Sequence, residues 1–210
     1  RESMLVHPKR HATWIKVKLG AKQTGELVAA RTEIYGDTGA YASLGVAVMT
    51  RATTHSCGPY IIPNTLSECY AMYTNNPPAG AFRGFGVVQA IFGIESAMDM
   101  LAEKLGMDPL ALRKLNALRK GSVTNTGHRL EDSAGLPECL DAVGERLAEL
   151  GISEPWKPKE EEIDGRKVIT CWGMASGFKN TGLGTGTEDS SGAIARLLPA
   201  GRLQIMTAAS

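Results

Sequence analysis

The residues Ala81-Phe82-Arg83-Gly84-Phe85-Gly86 form the stretch whose types and spacing suit chemistry most directly. Two glycines flank an aromatic, which lets the backbone come close to a ligand, while Arg83 supplies a planar fork of donors. Helical periodicity from Val87 to Leu105 begins directly behind the motif. It therefore stands at a helix entrance, where backbone N–H groups carry partial positive charge and favour phosphate or another anion. On local chemistry alone the same residues read rather as a glycine-rich turn whose phenylalanines fill the core and whose arginine is solvated, since short Gly motifs are common.

Other chemical groups are sparser. Arg51 sits in an apolar Ala/Val/Met stretch, where an arginine is ordinarily a snorkelling residue or an ion-pair partner. The triplet Gly182-Leu183-Gly184-Thr185-Gly186 lacks the strand–loop–helix setting of a nucleotide site, and its default reading is a surface loop. His7, His11, His55 and His128 do not form a ligand set, because Pro8 interrupts the nearest pair. Cys57, Cys69, Cys139 and Cys171 have the spacing of neither a zinc site nor an iron–sulfur set. No protein-ligated metal is expected.

The elements that must hold these groups can be read from periodicity and punctuation. Alternation over 14–19, a Thr24-Gly25 turn and an extended run from Leu27 to Tyr35 predict a β-hairpin. Apolar spacing over 41–55 predicts a helix stopped by Cys57-Gly58-Pro59, and 66–73 reads as a strand. After the 87–105 helix, Asp108 caps and Pro109 starts another. A further amphipathic helix over about 137–150 places Leu140, Val143, Leu147 and Leu150 on one stripe. Prolines and a charged run replace that periodicity over 152–167, which reads as a linker. Beyond it come a strand over 168–174, a Gly/Thr/Ser loop and a hairpin turning at Pro199-Ala200-Gly201. Hairpins with grouped helices predict an α+β fold of mixed sheet and helices, rather than a doubly wound parallel sheet.

Composition sets the outer bounds. The 210 residues are 43% hydrophobic, enough for a real core, and 23 basic against 22 acidic side chains leave a net charge of +1. No global field draws the chain to nucleic acid or an anionic membrane. No run approaches a spanning helix and the first residues are too polar for a signal peptide, so a soluble, cytoplasmic protein is expected.

The 81–86 motif, together with Asn76, Gln89, Gly106-Met107-Asp108-Pro109 and Leu115-Asn116, resembles the molybdenum-cofactor-binding subunit of the xanthine dehydrogenase/aldehyde oxidase family. Arg51, His55, Tyr60 and Ile62-Pro63-Asn64 before it, and Gly177-Phe178 and Ser190-Ser191-Gly192-Ala193 after it, are similar to the flanking family segments. The resemblance implies that Phe82, Arg83 and Gly84 lie at the molybdopterin cofactor and that Phe85 stacks on a flat substrate ring. It implies that Arg51 stabilises charge developing on the substrate, and that Leu183 and Gly184 line the substrate channel. Leu183 and Gly184 stand about where the purine enzymes carry an aromatic and a threonine, so they point away from a purine while Arg51 points towards one.

The implied activity is oxidation of a planar N-heterocycle or an aldehyde with water-derived oxygen. Electrons would leave through 2Fe-2S clusters and often FAD on partner domains or subunits of an oligomer. Carbon monoxide chemistry is disfavoured, because no cysteine occurs in the 81–86 loop. Residues 1–151 would be part of a first molybdopterin-binding domain, 152–167 a linker and 168–210 the start of a second. The family's catalytic glutamate and Gly-Gln-Gly cofactor loop do not occur here, so the chain is expected to be an internal fragment that on its own is inactive and holds no stable molybdenum cofactor. The rival reading is a non-catalytic binding or assembly module that keeps the fold.

Overall fold

The computed structural model describes residues 1–182 and 190–208. It divides into two compact units, 1–178 and 179–210. In the first, β1 (Thr13–Ala21) and β2 (Leu27–Gly39) form the expected antiparallel hairpin, with a bulge at Gly20/Ala21. The segment β3 (Asn64–Tyr73) lies on the other side of β2 and runs parallel to it. A parallel neighbour requires a crossover, and here it contains helix α2 (Gly45–Thr54). A short helix α1 (Glu2–Val6), which periodicity did not predict, precedes the sheet.

One sheet face is wet. Its central row pairs Trp14 with Tyr35 and Tyr35 with Tyr70, and the rings of Tyr35 and Tyr70 stack at 4.9 Å. The other face is covered by α2 and by α3 (Val87–Leu105). Gly36 of β2 lets α2 come close, since a Cβ there would lie 2.0 Å from the Met49 sulfur. Along α3, Ala90, Ile94, Met98 and Ala102 are buried at a spacing of four. This one stripe serves two clusters: Ala90 joins Ile34, Val48, Met49 and Ala52, while Ile94, Met98 and Ala102 join Leu27, Tyr60 and Leu112.

Helix α4 (Pro109–Asn116) begins as expected, with the Asp108 carboxylate accepting from the Ala111 N–H at 2.8 Å. Buried Asn116 fixes this helix to the hairpin: its carbonyl accepts from Leu27 N–H at 2.9 Å and its amide donates to the Gly25 carbonyl at 2.9 Å. On α5 (Leu136–Glu149) the expected apolar stripe is only partly used. Leu140 is buried, but Val143 and Leu150 are exposed.

Hydrogen-bond pairing runs through 152–167, the stretch read from the sequence as a linker. Within it β4 (Lys159–Ile163) forms an antiparallel hairpin with β5 (Arg166–Thr170), turning at Asp164-Gly165 where both φ angles are positive. The division between units falls after Phe178, because the chain on this side is held into the first core. Glu95 accepts from the Ser176 N–H at 2.8 Å, and Arg113 donates to the Met174 carbonyl at 3.4 Å. In the second unit β6 (Ala193–Leu197) and β7 (Leu203–Thr207) pair antiparallel around Pro199-Ala200-Gly201, as periodicity predicts. Among the described residues no helix is long and apolar enough to cross a membrane.

His11, between α1 and β1, is buried, and neither ring nitrogen has a hydrogen-bond partner among the described residues. Burial pushes its pKa below the ordinary histidine value, with the Asp37 charge acting against that shift. The unfolded chain therefore takes up a proton first as pH falls. Stability is complete above the ordinary histidine pKa and declines as pH falls through it towards the depressed native value. Denaturant titrations between about pH 7 and pH 5 should show this decline in the wild type and a flatter profile in His11→Leu. Equal slopes in both proteins would assign the dependence to other groups.

Candidate functional site

The 81–86 motif folds into a turn whose last three residues, Gly84 (φ 94°), Phe85 (φ 48°) and Gly86 (φ 97°), all lie in the left-handed region. Such a run reverses the chain tightly enough for Val87 to open α3. Phe85 N–H donates to the Phe82 carbonyl at 2.8 Å and Val87 N–H to the Gly84 carbonyl at 3.0 Å. Gly86 is required twice over: its φ suits glycine, and a Cβ there would stand 2.1 Å from the Val48 carbonyl oxygen. Phe85 has no such freedom, and a non-glycine residue in this region costs roughly 1–2 kcal/mol. Its surroundings must hold it there.

They do so on two sides. Phe85 is half-buried and packs against the cluster built from Ile34, Val48, Met49, Ala52 and Ala90. Across its ring, the guanidinium carbon of Arg51 lies 5.6 Å from the centroid, within reach of a cation–π attraction. Arg51 is itself 6% exposed, in the last turn of α2. Its carbonyl oxygen is 2.9 Å from Nδ1 of His55, whose ring is 4.9 Å from that of Phe178. The two proposed substrate-facing side chains, 34 positions apart in sequence, thus meet where α2 crosses the start of α3.

The other sequence-predicted residues divide clearly. Phe82 and Arg83 are exposed on the same turn, and the Arg83 guanidinium makes no hydrogen bond or ion pair with the described residues. Its donors are therefore available to an anion. Gly84 follows them, its missing Cβ leaving room for the Val88 side chain, which a Cβ would approach to 2.4 Å. Leu183 and Gly184 lie outside the described residues. Asn76 anchors a loop, donating to Asp37, whose other carboxylate oxygen accepts from Thr74 at 2.6 Å. The Thr74 bond is the main cause holding the Asp37 carboxyl below its usual range.

Sequence reasoning gave no role to Arg10. Its guanidinium lies 4.7 Å from the Phe82 ring centroid and donates to the Arg83 carbonyl and, at 3.4 Å, to Gln89 Oε1. No local signal could have found it, since its carbonyl partner lies 73 positions away. Among the described residues no three His, Cys, Asp or Glu side chains come together as a metal ligand set. A groove of about 520 Å³ between β1 and α3 is lined mainly by apolar side chains such as Ile15, Val17, Phe92 and Met100. It offers nothing for the chemistry that the turn can do.

The family model for the molybdopterin cofactor-binding domain matches residues 1–117. The chain is similar to the nicotinate dehydrogenase large molybdopterin subunit of Eubacterium barkeri, 50% identical over 149 residues, covering 71% of this chain and 35% of that subunit. It is 35% identical over 201 residues to the aldehyde oxidoreductase of Megalodesulfovibrio gigas, covering 95% of this chain and 21% of that protein. Among solved structures, the aldehyde oxidoreductase from Desulfovibrio gigas matches with a TM-score of 0.69 and 27% identity, over 94% of this chain and 21% of that one. The chain spans about a third or less of the length of these relatives.

Proposed function

Because the chain belongs to the molybdopterin cofactor-binding domain family, we propose that the whole protein is a cytoplasmic molybdenum hydroxylase. It oxidises a planar N-heterocycle or an aldehyde with water-derived oxygen, and passes electrons to iron–sulfur and flavin domains or subunits. In this reading the second cofactor-binding domain opens within 168–210, its own compact unit beginning after Phe178. One observation carries the substrate side: the Arg51 guanidinium and the Phe85 ring are 5.6 Å apart, beside a turn that presents Arg83 outward.

The residues present fit the cofactor. An exposed guanidinium on a backbone fixed by internal hydrogen bonds, with a helix N-terminus behind it, is a donor set for an anionic group. Phe82, Arg83 and Gly84 would hold it. When bound, the molybdenum cofactor would supply the two-electron oxidising centre that no side chain here provides. The chain's own contribution is positioning and electrostatics. Phe85, only half-buried, would give a flat substrate its open ring surface to lie against, and because packing holds the ring, little ordering entropy is left to lose on binding. Arg51, buried close by, places a fixed positive charge where negative charge builds on a ring nitrogen or a carbonyl oxygen. That the 50%-identical relative is named for nicotinate, a planar N-heterocycle, favours the heterocycle over the aldehyde.

Metal and pterin analysis of the full-length protein tests this directly. Molybdenum and pterin should co-purify, and Arg83→Ala should weaken retention about 10-fold, the scale of one lost charge-assisted hydrogen bond. A folded full-length protein holding neither would leave a binding or assembly module as the correct reading.

A further inference from the structure

The turn at 82–86 carries a phenylalanine in a left-handed conformation, which persists only where the surroundings over-determine it. Packing fixes its inner side, through the Val48 carbonyl under Gly86. Its outer side is fixed by the chain between α1 and β1. Gly80 N–H donates to the Lys9 carbonyl at 2.9 Å, and Lys9 forms a β-bridge with Ala79, so residue 10 arrives alongside the motif. There the Arg10 guanidinium stacks on Phe82, donates to the Arg83 carbonyl and reaches Gln89 Oε1; the Gln89 amide in turn donates to the His11 carbonyl at 3.3 Å.

We propose that Arg10 is a positioning residue: with Gln89 it forms a two-way clasp that sets the 82–86 turn and directs the Arg83 side chain outward to the cofactor. Arg10 spends its donors on the Arg83 backbone carbonyl and the first turn of α3, which leaves the Arg83 side chain free. Only arginine does this fully, because one planar group must bridge two acceptors while lying over an aromatic face. What the turn binds rests on the function proposed above. The clasp itself does not.

Amide hydrogen exchange in the full-length protein separates the two. Arg10→Ala should raise exchange at the Phe85 and Val87 amides about 10-fold, the scale for losing a hydrogen bond to a charged group, and leave β1 and β2 unchanged. Gln89→Leu should loosen the same amides. Arg10→Lys, which keeps a cation with N–H donors near Phe82 but not the planar fork, should restore part of the protection. Unchanged exchange at 82–87 overturns the proposal. So does an equal rise throughout the sheet that lysine fails to reduce, which would make Arg10 a general structural residue. Molybdenum content, measured on the same samples, reports on the function separately. A turn that loosens in a wild-type background lacking molybdenum keeps the clasp and removes the cofactor; a molybdenum-loaded protein whose turn does not loosen does the reverse.

Discussion

Arg113→Leu lowers the free energy of unfolding by about 3–5 kcal/mol, because it removes one partner of a buried pair and strands the other charge. Arg113 is fully buried, and its Nε donates to Glu95 at 2.9 Å while an Nη donates to Asp99 at 2.8 Å. Glu95 also accepts from the Tyr60 hydroxyl and from the Ser176 N–H. Burial acts most strongly on the arginine pKa and would lower it, but the Glu95 charge, Tyr60 and the hydrogen bonds to Asp99 and Glu95 together raise it; burial, reinforced by Glu95, pushes the Tyr60 phenol up. Among the described residues Arg113 is the one basic side chain paired with Glu95, so its removal strands that carboxylate. Replacing both residues, Glu95→Leu with Arg113→Leu, should recover much of the loss, since no charge then stays buried. Denaturant unfolding with a constant slope would measure both effects. A single-variant loss under about 1 kcal/mol would show that water reaches the pair. The single variant should also free the backbone around Met174 and Ser176 from α3, and with it the Phe178 ring that lies against His55.

The second large effect is on turnover. In the full-length protein, Arg51→Met should slow oxidation of a planar N-heterocycle by about 10²–10³, the usual result of removing a preorganised charge-stabilising donor. Aldehydes, with less charge spread over a ring, should lose less. Arg51→Lys keeps the charge but not the planar fork and should fall between. Because Arg51 lies over Phe85, Phe85→Ala should lose roughly 0.5–1.5 kcal/mol of stacking in the same assay. Equal losses for both substrate classes, in a variant that unfolds like the wild type, would assign Arg51 to structure.

What the sequence determined alone was whatever local rules govern. The limits of α3, Val87 to Leu105, follow from glycines at both ends and a stripe repeating every four residues. The β1–β2 turn, the Asp108 cap and the terminal hairpin follow in the same way. The β4–β5 hairpin was also written locally, in Asp164-Gly165, a favoured two-residue hairpin turn. The charged strand Lys159–Ile163 hid it, because a strand exposed on both faces shows no alternation.

Tertiary structure decided what depends on contacts between distant segments. That β3 adds parallel to β2 reflects a crossover packed on the sheet, which no short-range pattern encodes. The resemblance named Arg51 and Phe85 separately, yet their meeting depends on Gly86 allowing the start of α3 to lie on the Val48 carbonyl. The first unit extends to Phe178 because Glu95 and Arg113 satisfy backbone groups of a segment more than 60 residues further along. Arg10 reaches its turn across 73 positions. For the segment up to Phe178 the determining term is a buried polar group that had to find a partner, and which partner it finds is fixed only when the whole core has closed.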